Sequence, residues 1–92
     1  MTENIIKQKL KIKNKYGLHA RPAALLVQVA CKYKSKIELA KDGMVVDAKS
    51  ILGVMTLAAE FGSEIEIFAA GEDAKTAVEH IQKIIENKFE EE

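Results

Sequence analysis

His19 and Arg21 stand two residues apart in the stretch Gly17-Leu18-His19-Ala20-Arg21-Pro22, a combination suited to handling phosphate. An imidazole whose neutral form is available near pH 7 can take a group covalently and pass it on. A guanidinium adds a permanent charge and a planar fork of donors that matches phosphate oxygens. Pro22, with no amide hydrogen and a fixed φ, is tolerated in a first helical turn and disfavoured further in. A helix is therefore expected to open near Ala20. That puts His19 at the mouth of the helix, where the first amides and the positive end of the dipole favour an anion.

The elements that must hold this motif are legible in the hydrophobic pattern. Ile6, Leu10 and Ile12 alternate with Lys7, Lys9, Lys11 and Lys13, which predicts a strand over about residues 5–13 with one dry face. Gly17 breaks it. Ala23, Leu26, Val27, Ala30 and Tyr33 recur at helical spacing and predict a helix from Ala20 to Tyr33. Lys36-Ile37-Glu38-Leu39-Ala40 and Met44-Val45-Val46-Asp47-Ala48 flank Lys41-Asp42-Gly43, and Asp-Gly between apolar runs signals a hairpin. A short helix over Ile51–Ala59 is expected to start at Lys49 or Ser50 and stop at Gly62. Glu64–Ala70 alternates as a fourth strand. Ala74, Ala77, Val78, Ile81, Ile84 and Ile85 form the stripe of a last helix, with Glu72 and Asp73 at its start. Glu90-Glu91-Glu92 is expected to fray.

The order is β-α-β-β-α-β-α. Four strands and three helices, each with one apolar face, are satisfied by an α+β two-layer open-faced sandwich: a four-stranded antiparallel sheet with all three helices on one side. A length of 92 residues suits one domain, residues 1–92, with a modest core.

Composition narrows the partners. Fourteen Lys and Arg balance fourteen Asp and Glu, so no basic surplus points to nucleic acid. Cys31 is the only cysteine, which argues against a disulfide framework and for a reducing, cytoplasmic setting; within the first helix it reads as a small packing residue. No apolar run approaches a bilayer span, and the polar Met1-Thr2-Glu3-Asn4 start does not resemble an export signal. The glycines form no nucleotide-binding fingerprint, and no second His or carboxylate sits at metal spacing. No cofactor, no metal and no self-contained enzyme are expected; the chain reads as a recipient and donor of a group.

Ser50 reads in two ways. It can simply cap the short helix, or a phosphate on its hydroxyl can meet the helix amides as a charge switch. Ile51, Leu52 and Met55 lie at i, i+1 and i+4, so at least one is expected to face outward as docking surface, the alternative being that all three are core. His80, flanked by Glu79 and Lys83, reads as solvent-facing.

Both motifs together resemble the HPr family, the histidine-containing phosphocarriers of the bacterial phosphoenolpyruvate-dependent phosphotransferase system. The resemblance runs from about Lys9 to Phe89 and rests on Gly17-Leu18-His19-Ala20-Arg21-Pro22-Ala23 and on Lys49-Ser50-Ile51-Leu52-Gly53-Val54-Met55-Thr56-Leu57. It implies that His19 accepts a phosphoryl group on Nδ1 from enzyme I and donates it to IIA domains of sugar permeases. Arg21 would stabilise that group, with Ala20 and the first-turn amides completing the anion site. Ala24, Ile51, Leu52 and Met55 would fall in the docking surface. Ser50 matches the serine modified by HPr kinase/phosphorylase, which implies regulatory phosphorylation and a transcription regulator as a further partner. Gly53-Val54-Met55 looks like the regulated type of the family, whereas Gly71-Glu72-Asp73 and Ala77-Val78-Glu79-His80 look like the enteric type. Tyr16 and the acidic tail have no place in the family pattern. A monomer is expected.

Overall fold

The structure, a computed structural model, describes residues 5–90. The polar start Met1–Asn4 and the last two glutamates of the tail lie outside the described residues. The strands are β1 (Ile5–Lys11), β2 (Lys36–Lys41), β3 (Met44–Asp47) and β4 (Glu64–Ala70); the helices are α1 (Ala20–Ala30), α2 (Ile51–Thr56) and α3 (Ala74–Glu86), followed by a 3₁₀ turn at Lys88–Glu90. All strands pair antiparallel in the order β1-β4-β2-β3. This is the expected open-faced sandwich, with three helices over one face of the sheet.

Register follows the alternation of side chains. Leu10 stands opposite Ile65, Leu39 opposite Ile67 and Ile37 opposite Ala69, so β1, β2 and β4 turn their buried sets to the same face. Those residues meet Ala23, Leu26, Val29 and Ala30 of α1 and the whole predicted stripe of α3 in one core. Lys7, Glu66 and Glu38 occupy the open face, where the Lys7–Glu66 pair at 3.9 Å is exposed and adds little stability. In the hairpin, Lys41 pairs with Met44 across Asp42 and Gly43, both with positive φ. A two-residue turn of the kind that continues the strand twist needs that backbone, hence Asp-Gly.

Three boundaries differ from the expected ones by two residues or more. β1 ends at Lys11 rather than at residue 13, although Ile12 stays buried and keeps bonds to Ser63 and Gly62. α1 stops at Ala30 rather than Tyr33. The chain is captured there by the Asp73 carboxylate, which accepts from the amides of Lys34 and Ser35, each at 2.9 Å, and from the Ser35 hydroxyl. Cys31 is consequently the exposed C-cap of α1 and not a packing residue. α2 ends at Thr56, short of Ala59, because i to i+3 bonds tighten its last turn and Ala58 takes positive φ. Gly62 ends no helix; it sits in the turn before β4, its amide bonded to Ile12 O at 2.8 Å.

His80 also departs from the expected solvent-facing position. It is half-buried, and its Nδ1 lies 2.6 Å from the Tyr33 hydroxyl with the rings edge to face. The spacing that puts His80 beside the apolar stripe of α3 also brings it under the loop after α1. No helix among the described residues is long and apolar enough to cross a membrane.

Candidate functional site

The loop from Asn14 to Leu18 is held from below. Asn14 is buried and its Nδ2 donates to Gly17 O at 2.6 Å, while the Gly17 amide donates back to Asn14 O at 3.2 Å. An Asn that closes a turn onto its own backbone is common, and the Asn14-to-Gly17 spacing was the available signal for it. Gly17 has φ near +70°, and a Cβ there would collide with the Ala59 carbonyl oxygen. Only glycine meets both demands. The Leu18 side chain is buried and its amide donates to Ala59 O at 2.9 Å. The segment after α2 thus fixes the loop that leads into α1.

His19 emerges from this anchored loop as the N-cap of α1, extended in backbone and exposed in side chain, with no side-chain capping bond. The helix begins with the bond from Ala23 N–H to His19 O at 3.0 Å. Ala20 and Arg21 are therefore first-turn residues, whose amides have no intrahelical acceptor and point out of the helix mouth. Pro22, buried, has no amide to satisfy. The imidazole, the first-turn amides and the positive helix end are brought to one exposed point. Arg21 is exposed and shares a shallow surface hollow with Ala24, Leu25, Gln28, Phe89 and Glu90, so it lies on the side of α1 that faces the C-terminal turn.

Ser50 caps α2, its Oγ accepting from the Gly53 amide at 3.0 Å. Ile51, Leu52 and Met55 are 44%, 76% and 41% exposed, so all three face outward, and the core role falls to Val54 and Leu57. α2 packs on α1, which sets this apolar patch beside the helix that His19 opens. Ala24 is half-buried.

Sequence reasoning left Tyr16 without a role. Its ring lies edge to face with His19, centroids 6.2 Å apart at 82°. Phe61, two-thirds exposed and grouped with Lys13, Lys15 and Lys88, was also overlooked. Neither follows a periodic pattern, so only the fold reveals the grouping. Among the described residues no group of three or more His, Cys, Asp or Glu side chains could hold a metal ion.

An exposed imidazole at the mouth of a helix, with exposed apolar residues on the neighbouring helix, is an arrangement suited to meeting a group carried by another macromolecule, as in a relay protein. Residues 6–87 match the family described as PTS HPr component, phosphorylation site. The chain is similar to the phosphocarrier protein HPr of Treponema pallidum, 49% identical over 90% of this chain and 94% of that protein. Its fold is similar to HPr-C-His from Thermoanaerobacter tengcongensis, with a TM-score of 0.92, 46% identity and coverage of 95% and 98%. It is also similar to Crh of Bacillus subtilis, 43% identical over 90% and 95% with a TM-score of 0.73, a protein whose crystal structure is described as an intertwined dimer with a swapping domain. The chain belongs to the HPr family. It is a phosphocarrier of the phosphotransferase system and not a self-contained enzyme, working with that system's partner proteins.

Proposed function

We propose that His19 carries the phosphoryl group. Its Nδ1 lone pair forms the new bond to phosphorus while the bond from phosphorus to the donor breaks and its electron pair leaves on the donor. Phosphorylated enzyme I is the donor and IIA domains of sugar permeases are the acceptors. The observation that carries this reading is His19 itself, an exposed imidazole at the mouth of α1 beside the Ala20 and Arg21 amides. Those amides and the Arg21 fork favour the dianion once it is attached. Ile51, Leu52, Met55 and Ala24 serve as docking surface, since exposed methionine and aliphatic groups beside a reactive centre adapt to several partners. Incubation with phosphoenolpyruvate and enzyme I is expected to yield an acid-labile phosphoprotein from the wild type and none from His19→Ala. Equal labelling of both would overturn the assignment.

Ser50 is the regulatory site in this reading, the substrate of an HPr kinase/phosphorylase, and its phosphorylated form is the one that meets a transcription regulator. Half-buried and engaged with Gly53, the hydroxyl must leave its capping bond to be modified. A phosphate there adds charge next to the exposed patch of α2. The 92 residues act as one HPr domain in the cytoplasm. The chain acts as a monomer in this reading; exchange of an edge element is the alternative that the Crh dimer suggests.

A further inference from the structure

We infer that Tyr16 is a positioning residue for phosphoryl transfer at His19, its ring setting the orientation of the imidazole. This rests on the relay role proposed for His19. Tyr16 is 71% exposed, so it adds little to the core, and the turn it sits in is shaped by Asn14 and Gly17. What its ring does touch is informative. It meets the His19 ring edge to face, at a centroid separation of 6.2 Å and 82° between planes, inside the range preferred by aromatic pairs. The same ring is met by the Lys15 ammonium, 5.4 Å from its centroid, a cation over an aromatic ring.

The consequence follows from what transfer requires. The Nδ1 lone pair must point along the line from the donor through phosphorus, and a small angular error slows such a step severely. His19 is exposed and makes no capping bond, so the helix mouth does not orient its ring through capping. A histidine side chain has several staggered rotamers to choose from. An aromatic wall anchored by a structured turn narrows that set before the partner arrives.

The test uses the full chain in three forms, wild type, Tyr16→Ala and Tyr16→Phe, with two readouts. The first is the NMR position of the His19 ring C–H protons, which the adjacent aromatic ring current shifts. The second is the initial rate of labelling from phosphoenolpyruvate and enzyme I, resolved into kcat and KM. Tyr16→Ala is expected to move the His19 resonances and lower kcat about two- to ten-fold at unchanged KM, the size of one aromatic pair. Tyr16→Phe is expected to restore both, and all three forms should melt alike. Wild-type kcat in Tyr16→Ala, failure of Tyr16→Phe to rescue, or an effect confined to KM would each overturn the inference while leaving His19 as carrier. No label on the wild type would remove the relay role and the inference together.

Discussion

His19, Arg21 and Ser50, the side chains proposed to carry the chemistry, can each be probed without disturbing the core, since His19 and Arg21 are exposed and Ser50 is half-buried. Arg21 supplies a charged fork on the flank of α1, and charge-assisted bonds to phosphate are stronger than neutral ones. Arg21→Ala is expected to slow labelling about ten-fold, the low end for a hydrogen bond to a charged group at an exposed position, with the fold unchanged by circular dichroism. Arg21→Lys should recover only part of this, because a point charge cannot reproduce the fork. Ser50→Asp places a carboxylate beside the docking patch and should reduce the rate of labelling by phosphorylated enzyme I through like-charge repulsion, an effect that weakens as salt is raised. A wild-type rate at low salt would remove the proposed switch. The candidate residues His19, Arg21 and Ser50 were readable from their types and spacing. The Tyr16 contact was not, since edge-to-face packing depends on loop geometry that no periodicity records.

At the level of elements, α1 and α2 show how far local pattern carries. The apolar stripe of α3 and the alternation in β4 gave the buried residues directly, because one face of each packs on one core. α2 is too short for such a pattern to choose between faces. Its packing on α1 and the tight turn after Thr56 bury Val54 and leave Ile51, Leu52 and Met55 outside. Leu52, the most exposed of the three, makes the sharpest test of the docking role. Leu52→Asp is expected to change stability by no more than about 0.5 kcal/mol, as for a surface position, yet to raise the Kd for enzyme I about ten-fold, as for an anchor in a protein interface. Titration calorimetry gives the Kd and urea unfolding gives the stability; an unchanged Kd would take Leu52 out of the interface.

Across the whole molecule, Asp73 ties distant parts of the chain together. At the start of α3 it accepts from the Ser35 hydroxyl and from the Lys34 and Ser35 amides, closing the turn between α1 and β2. The Ser35 hydroxyl first, and then the Lys34 amide, hold its carboxyl below the ordinary value of 3.8. A carboxylate whose folded-state value is lowered contributes stability above its unfolded value and loses it as pH falls through the folded one. Urea unfolding should therefore show stability falling below about pH 4, with part of that slope absent in Asp73→Asn. An identical slope in both would show that the clamp does not contribute. The sequence by itself determined the order of elements, the hairpin at Asp42-Gly43, the stripe of α3 and the pairing of His19 with a helix start. These are local matters of period, turn chemistry and helix-capping physics. Only the tertiary structure decided where α1 and α2 end, which side of α2 is wet, that His80 bonds Tyr33 and that Tyr16 stands against His19. Each of those depends on residues far apart in the chain competing for one hydrogen bond or one patch of surface.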